Sequence, residues 1–505
     1  MTPRQRLLIT IAVMSTTIMQ VLDTTIVNVA LPHMEGQLEA TPDQITWVLT
    51  SYLVASAIFM PLTGFFSDRL GRRRYLLISI FGFVLFSGLC GLSTSLDQIV
   101  LFRLLQGVFG AALVPLSQAI MVAVYPPEER GRAMAIWGIG VMLGPILGPT
   151  LGGYLTEILS WRWTFFINLP VGILSYVLTL ASVPDTDRRD RKMDWAGLLY
   201  LSLSIAATQF LLDRGNEYGW LGSTRIQLAG VVAIGGLVAF LVHSIGRTGA
   251  RLFNLRIFLD RNFTIASLLL AVFGLGMYGS MVMQPLLLED LLHYPTLTTG
   301  LAMAPRGVIS AISMIVVGKL ITRISPRILI TIGIILSCLG TWAMTGYNLS
   351  ISEWDIIWPV LIQGAGLGMI YVPLSTVAFA TLPQEAAAEA AGLFSLMRTI
   401  GSSIGISLVT TVFIRHGQMA WNLIGGHITQ FGTSVSAYLA PLHLTPRSPL
   451  GSAVLAATLA RQSQMVAFDA AFVFITASFV VMLPLTLFVR GGRLGGQNKP
   501  MIAAD

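Results

Sequence analysis

Long apolar runs divide this sequence and restrict it to one class of fold. Fourteen of them are long enough to cross the roughly 30 Å hydrocarbon core of a bilayer as helices. In lipid, a segment must satisfy its own backbone hydrogen bonds, and a helix does so. The sequence therefore predicts an all-α polytopic membrane protein with fourteen transmembrane helices. The runs fall at residues 7–29, 44–65, 75–94, 98–124, 133–156, 163–183, 195–212, 225–246, 263–288, 299–321, 328–346, 356–380, 390–414 and 466–489.

A short basic turn occurs once in each half of the chain and marks an internal repeat. Residues 64–74 read GFFSDRLGRRR, and residues 318–327 read GKLITRISPR, 254 positions later. Gln106 recurs as Gln363 in the same order. Six runs precede residue 184 and six follow residue 262, so the pattern predicts two parallel six-helix repeats with a ligand site between them.

The two unmatched runs in the middle are interpreted as a pair of inserted helices. The long segment 415–465 is predicted to lie outside the cell, either as a flexible connector or as a docking surface with a short helix near 452–464. The predicted divisions are an N-terminal bundle at 1–183, the inserted pair with basic flanks at 184–262, a C-terminal bundle at 263–489 and a cytoplasmic tail at 490–505.

The distribution of charge predicts orientation and excludes several functions. Of the 31 Lys and Arg residues, 22 lie in segments that the alternation of runs assigns to the cytoplasm, so both termini are predicted to be cytoplasmic. The net charge of +7 is then a consequence of membrane topology and does not indicate nucleic-acid binding. The two cysteines lie in apolar runs, the six histidines lack ligand spacing, and no GxxxxGK[ST] sequence occurs. We expect no metal, no cofactor and no enzymatic activity, and transport driven by an ion gradient.

One acidic residue stands apart from the other 23. Asp23 lies deep within an apolar run, where an ionisable side chain is costly and marks a functional candidate. Arg103 lies at a similar depth in the fourth run, so the two are predicted to pair. Asp23 would carry the proton and Arg103 would regulate it. The alternative is a static ion pair that joins the first and fourth helices.

Two further motifs suggest gating. Small residues recur every four positions in the fifth run, which predicts either a hinge and seal between the halves or simple close packing. In the basic turn, Asp68 is predicted to pair with Arg72 or Arg73, or with the positive N-terminal end of a neighbouring helix from the other half, and so to latch the cytoplasmic side shut. Thr322 replaces Asp68 in the second copy, so the latch belongs mainly to the first half. The stripe in the fifth run comprises Gly140, Gly144, Pro145, Gly148, Pro149 and Gly152.

A ligand cavity is expected between the halves. Arg306 and Arg398 have no acid within their own runs, and Asp469 and Glu289 are candidate partners near the outer ends. If unpaired, the two arginines would favour acidic or neutral amphipathic ligands over simple cations. For the methionines among the predicted lining residues, the alternative is that they are ordinary packing residues. The predicted lining comprises Gln106, Phe273, Met277, Met281, Met303, Arg306 and Arg398.

Several of these motifs resemble those of a known family. GFFSDRLGRRR resembles motif A of the major facilitator superfamily, Arg103 with Gln106 and Gly107 resembles motif B, and GIGVMLGPILGPTLGG at 138–153 resembles the antiporter motif C. LDTTIVNVALP at 22–32 is similar to the first-helix motif of the fourteen-span drug:proton antiporters of EmrB/QacA type, the EmrB branch above all. Three shorter sequences also fit, namely WRW at 161–163, NLP at 168–170 and LDRG at 212–215.

The resemblance implies the major facilitator fold and proton-driven export of amphipathic drugs or toxic metabolites by alternating access, hence a role in antibiotic resistance. It also implies a location in the bacterial inner membrane and, for relatives of the EmrB branch, a periplasmic adaptor and an outer-membrane channel. Two alternatives remain. One is an importer or a narrow-substrate metabolite exporter on the same fold, and the other is a membrane-embedded enzyme or sensor.

Overall fold

The structure is a computed structural model that describes residues 2–126, 129–186, 188, 192–245, 252–429 and 432–489. Each apolar run predicted from the sequence coincides with one long helix, and among the described residues no run extends beyond its helix by more than a few residues. The first bundle comprises α1 (Pro3–Gln37), α2 (Trp47–Leu70), α3 (Arg72–Leu92), α4 (Leu96–Val124), α5 (Arg130–Ile158) and α6 (Trp163–Ser182). The inserted pair comprises α7 (Trp195–Arg214) and α8 (Thr224–Ile245). The second bundle comprises α9 (Arg261–Leu291), α10 (Thr298–Leu320), α11 (Pro326–Met344), α12 (Glu353–Ala378), α13 (Gln384–Gly425) and α14 (Pro449–Thr486).

The helices have the length and composition of membrane spans. Among the described residues, thirteen of them are long and apolar enough to cross a bilayer. The remaining predicted span is α5, a helix of 29 residues in which some side chains lie outside the described set. On α8, Leu228, Val231 and Ile234 are largely exposed, as expected for a face that meets lipid rather than water.

Polar residues at the turns set where helices begin and end. The Ser95 hydroxyl accepts from the Gln98 backbone N–H and starts α4. Ser352 and Asp355 form a capping box at the start of α12. Gly71 separates α2 from α3 with a φ of 84°, a conformation that favours glycine. The basic turn is therefore a sharp break between two consecutive spans.

Both bundles bring equivalent helices together through glycine. In the first, Gly107 of α4 meets the Tyr52 backbone of α2, and a Cβ there would lie 3.1 Å from the Tyr52 Cα. In the second, Gly364 of α12 meets the Arg306 backbone of α10, with a corresponding distance of 3.0 Å. Without a side chain the backbones approach closely, which stabilises helix pairs in lipid. The repeat in the sequence is thus a repeat in packing.

The halves touch along α5 and α10. We call the end of the bundle with the turns 71–74 and 322–327 the basic face, and the opposite end the hairpin face. At the basic face Gly131 of α5 packs against Ile321, and towards the hairpin face Thr150 packs against Gly300. Midway, Trp137 of α5 stacks on Tyr371 of α12 with ring centroids 5.9 Å apart.

The inserted pair touches both halves near the hairpin face. The Thr50 hydroxyl of α2 donates to the Asp213 carboxylate at 3.1 Å. The Ser407 hydroxyl of α13 donates to the Leu212 carbonyl oxygen at 2.8 Å. These bonds come from helices of different halves, so α7 bridges the two bundles.

The long segment between the last two spans differs from the prediction. Residues 452–464 form no separate short helix on the membrane face, because they belong to the continuous helix α14. On the other side, α13 continues to Gly425, and a short helix at Thr433–Leu439 lies between the two long ones. The regular part of α13 has 39 residues and α14 has 38, or nearly 60 Å each at about 1.5 Å per residue. Both helices therefore project well beyond the bilayer core as a helical hairpin.

Candidate functional site

The acid and the arginine chosen from the sequence meet in the interior of the first bundle. Asp23 on α1 and Arg103 on α4 have 0% and 1% of their side-chain surface exposed. The Arg103 Nη1 donates to the Asp23 Oδ2 at 2.7 Å. The predicted pairing is confirmed, whereas the assigned roles in proton coupling stay predictions.

A network of neutral donors completes the surroundings of Asp23. The Asp23 Oδ1 accepts from the Gln106 Nε2 at 3.1 Å and from the Asn168 Nδ2 at 2.7 Å. Asn168 also donates to the Ser87 hydroxyl at 3.0 Å. Sequence reasoning missed Asn168 and Ser87 as members of the site. A polar amide within the first two turns of an apolar run was the signal that could have found Asn168.

Arg103 is held on several sides. Its Nε donates to the Val48 carbonyl oxygen at 3.1 Å, and its Nη1 also donates to the Gln106 Oε1 at 2.9 Å. The Tyr52 ring lies 4.2 Å from the guanidinium carbon, a cation–π contact that gains strength away from water. Gln106, which was predicted to line the cavity between the halves, is fully buried in this network instead.

In this arrangement, protonation of Asp23 would change the electrostatic balance of the buried pair. Ionised Asp23 neutralises Arg103, and removing one charge of a buried pair costs about 3–5 kcal/mol because the other charge is left uncompensated. A proton on Asp23 therefore favours any conformation in which Arg103 finds other partners or water. The contact between α1 and α4 at this pair therefore depends on the charge of Asp23.

The glycine stripe of α5 packs against α1, the helix that carries Asp23. A Cβ on Gly144 would lie 2.6 Å from the Val21 carbonyl carbon, and one on Gly152 would lie 2.8 Å from the Ile26 carbonyl oxygen. Gly148 meets Thr25, whose hydroxyl donates to the Gly144 carbonyl oxygen at 2.9 Å.

The prediction that these glycines form a seal between the halves is wrong in its location, since they close a contact inside the first half. Close packing is what they do, and a role in gating would have to act through α1. The side chains of Pro145 and Pro149, which the same prediction includes, lie outside the described residues.

The basic turn contacts the second half. Gly64 packs against Glu389 of α13, and a Cβ on Gly64 would lie 2.8 Å from the Glu389 Cα. The Arg72 guanidinium donates to the Gln384 carbonyl oxygen at 3.1 Å. Glu389 also accepts from the Asn254 backbone N–H in the segment that precedes α9. Sequence reasoning missed Glu389 and Asn254.

The other arginines of the turn hold the first half together. Arg73 donates to the Leu180 carbonyl oxygen at the end of α6, and Arg74 lies 3.7 Å from the Asp185 carboxylate. The proposed latch between Asp68 and Arg72 or Arg73 stays a prediction.

Several predicted cavity residues lie within the packed apolar interior. Met277 is buried, and Met281 and Met303 are half-buried against the apolar core. Arg398 on α13 donates to the Tyr371 hydroxyl at 3.2 Å. Because Tyr371 stacks on Trp137 of the other half, Arg398 lies at the boundary between the halves.

Neither predicted carboxylate partner serves the two arginines. In the described part of the chain, neither Asp469 nor Glu289 forms an ion pair with Arg306 or Arg398. Instead, Arg306 lies 4% exposed, with its Nε and Nη2 unpaired in the same part of the chain.

Comparison with known proteins identifies the family. A family model described as Major Facilitator Superfamily matches residues 13–406. The chain belongs to the major facilitator superfamily. It is therefore a membrane transporter and not an enzyme, as the sequence predicts.

Relatives of this major facilitator protein include curated export and resistance proteins. The chain is 35% identical to the multidrug export protein EmrB of Haemophilus influenzae, over 86% of this chain and 89% of that protein. It is 33% identical to the fatty acid resistance protein FarB of Neisseria gonorrhoeae, over 92% of each chain. Among solved structures, the human organic anion transporter MFSD10 matches with a TM-score of 0.62 and 15% identity, over 96% of this chain and 100% of that one. That likeness concerns the fold alone.

Proposed function

We propose that this major facilitator protein exports amphipathic drugs or toxic metabolites from bacteria in exchange for protons. The observation that carries the proposal is the buried pair of Asp23 and Arg103, with side chains 0% and 1% exposed. Ionisable residues within a membrane span are costly, and in transporters they mark sites such as proton relays. Multidrug export and fatty acid resistance, named in its relatives, supply the class of substrate.

Asp23 is the proton carrier in this proposal, and Arg103 regulates it. The proton neutralises Asp23, Arg103 loses its counter-charge, and α1 shifts on the glycine face of α5. Moving one charge across the membrane releases about 2.3 kcal/mol per 100 mV, which sets the scale of uphill export per proton. The packing of Val21 and Thr25 on Gly144 and Gly148 supports a path from Asp23 to α5, whose other face meets the second half.

The substrate passes between the halves, where the Arg398 guanidinium and the rings of Tyr371 and Trp137 meet. Aromatic faces suit a flat or apolar body, and a guanidinium suits an acidic group. The basic face closes through two contacts. Gly64 packs against Glu389, and the Arg72 guanidinium donates to the Gln384 carbonyl oxygen.

The protein lies in the inner membrane with both termini in the cytoplasm, so the hairpin of α13 and α14 projects into the periplasm. Two cavities of about 440 Å³ lie on this hairpin, both lined by Trp421 and Asn422, and the side chains of Met419 and Leu423 on the same helix are exposed. Exposed apolar surface beyond the bilayer suits a protein partner. The hairpin is the docking surface for a periplasmic adaptor, which connects export to an outer-membrane channel.

The experiment compares wild type with Asp23→Asn in an efflux-deficient host at equal membrane expression. Toxicity tests identify substrates, and inside-out vesicles then report proton movement when a substrate is added. We expect Asp23→Asn to abolish both resistance and proton exchange. Asp97→Asn, an exposed acid on the helix that carries Arg103, is the matched control and retains both.

Resistance and proton exchange retained by Asp23→Asn would refute the carrier role and transfer it to Asp469 or Glu289. Accumulation of substrate inside intact cells would instead favour the importer. A substrate panel that yields one metabolite and no drug would favour the narrow-substrate exporter.

A further inference from the structure

The second bundle contains a neutral copy of the Asp23 site. In the first bundle, the Gln106 Nε2 donates to the Asp23 carboxylate at 3.1 Å. In the second, the Gln363 Nε2 donates to the Ser280 hydroxyl at 3.0 Å. Both residues of the second pair lie 257 positions after those of the first. Ser280 therefore stands where the repeat places an acid in the first half.

The buried arginine of the second bundle also lies on a different helix of the repeat, α10, whereas Arg103 lies on α4. Arg103 of α4 corresponds to Val360 of α12 at the same offset of 257. Tyr52, whose ring covers Arg103, corresponds to Arg306, because each packs its backbone against the equivalent glycine, Gly107 or Gly364. The second bundle thus keeps an arginine in the equivalent region and lacks the carboxylate that would neutralise it.

Arg306 has no counter-charge within the described chain. Its side chain is 4% exposed, and its Nε and Nη2 are without a partner among the described residues. The nearby Tyr347 phenol supplies no negative charge, because burial raises the pKa of Tyr347 above its ordinary value. Burying a charge in this way is costly unless an anion joins it.

Further polar atoms of this bundle lack partners in the described structure. The Ser310 hydroxyl lies one turn after Arg306, on the same helical face, and is 1% exposed and unpaired. The Gln284 Oε1 of α9 and the Ser337 hydroxyl of α11 are unpaired as well. Asp23 and Gln106 of the first bundle, in contrast, bond to each other and to Arg103. Among the described residues, this second site therefore has unpaired hydrogen-bond donors and no negatively charged acceptor.

We propose that Arg306 binds the anionic group of a carboxylate-bearing amphiphile, whose negative charge compensates Arg306 as Asp23 compensates Arg103 in the first half. Met303, one turn before Arg306 on the same face, is half-buried and offers apolar contact to the body of the ligand. Because α10 also forms the contact with α5, a change in that contact changes access to Arg306. The inference rests on the proposed export function and assigns the residue that recognises the acidic group of a substrate.

The test measures equilibrium binding to the purified full-length protein in nanodiscs, with no proton gradient. The probes are radiolabelled dodecanoate, at a pH where it is ionised, and dodecanol, which has the same chain and no charge. We expect Arg306→Gln to weaken dodecanoate binding by roughly 10- to 100-fold, the usual worth of a charged hydrogen bond, and to leave dodecanol binding unchanged. Arg306→Lys retains part of the affinity, and Lys319→Gln, an exposed lysine of the same helix, changes neither probe.

A second variant tests the correspondence with the first bundle. Ser280→Asp places an internal carboxylate at the position of Asp23, so it competes with the ligand and weakens dodecanoate binding by about tenfold or more. Retained dodecanol binding shows that both variants are folded.

Three results overturn the proposal. One is dodecanoate binding that Arg306→Gln leaves unchanged, and another is an equal loss for both probes, which assigns Arg306 to structure alone. The third is inhibition of dodecanoate binding to the wild type by chloride. If replacing chloride with gluconate removes this inhibition, and Arg306→Gln does not show it, the site binds a small free anion. Transport retained by Asp23→Asn, with dodecanoate binding intact, would refute the proton-carrier role alone, so the two proposals fail separately.

Discussion

Replacing Gly144 by alanine tests whether the contact of α5 with α1 controls the Asp23 site. The added Cβ would lie 2.5 Å from the Val21 Cγ1 and 2.6 Å from the Val21 carbonyl carbon. Ordinary contact begins near 3.4 Å, so α1 has to move by about 0.8 Å. Overpacking of this kind costs about 1–3 kcal/mol. The same shift is large compared with the tolerance of the 2.7 Å bond from Arg103 to Asp23.

We therefore expect Gly144→Ala to lower the melting temperature of the purified protein and to remove most of its transport. The assay is substrate-driven proton movement in inside-out vesicles at matched protein content. Gly235→Ala is the control, because nothing lies within 4 Å of a Cβ at that position of α8. Its stability and transport should equal those of the wild type.

A double variant separates backbone from side-chain contact. Val21→Ala removes the Cγ1 atom and leaves the carbonyl carbon in place, so it should not rescue Gly144→Ala. Full rescue would show that α1 adapts through a side chain alone. Wild-type melting and transport in Gly144→Ala itself would refute the reasoning that backbone contact at the stripe holds Asp23 in position.

Three further predictions concern other parts of the molecule. Arg103→Lys keeps the charge and loses the Nε bond to the Val48 carbonyl, so we expect normal membrane insertion with at least about tenfold slower transport in vesicles; unchanged transport would show that charge alone suffices. Gly64→Ala places a Cβ 2.8 Å from the Glu389 Cα and should open the basic face, which labelling of a cysteine at Ser67 by a membrane-impermeant reagent from that side detects; labelling equal to that of the otherwise unaltered Ser67→Cys protein would contradict this closure. Asp213→Asn weakens the acceptor for the Thr50 hydroxyl and should destabilise the docking of α7 by about 0.5–1.5 kcal/mol, seen as faster proteolysis between α7 and the second bundle, whereas Glu217→Gln, which alters an exposed ion pair with Arg214 in the turn after α7, is expected to have a smaller effect.

The pairing of Asp23 with Arg103 illustrates how far sequence reasoning extends into the site. Two charged residues in apolar runs at the same depth have few alternatives to each other, because lipid excludes water. Asn168 escaped the same reasoning, since a neutral amide in a membrane helix carries a smaller penalty than a charge. Its contact with Asp23 at 2.7 Å depends on how α6 is rotated against α1.

The glycine stripe shows the opposite case. Spacing by four predicts a smooth helix face, and such a face exists. Spacing does not say which neighbour the face meets, and the structure places it against α1 rather than against the second half. The same limit applies to Arg306 and Arg398, for which the sequence offered Asp469 and Glu289 as partners and the packing of the helices provides neither.

The sequence by itself determined the membrane class, the positions of the helices and the internal repeat, because hydrocarbon thickness and backbone hydrogen bonding act on each segment locally. It also determined that Asp23 and Arg103 needed each other. Only the tertiary structure decided that Ser280 and Gln363 repeat the geometry of Asp23 and Gln106 without its charge. Such a correspondence depends on the rotation and spacing of packed helices, which arise from many contacts between distant residues and from no single motif.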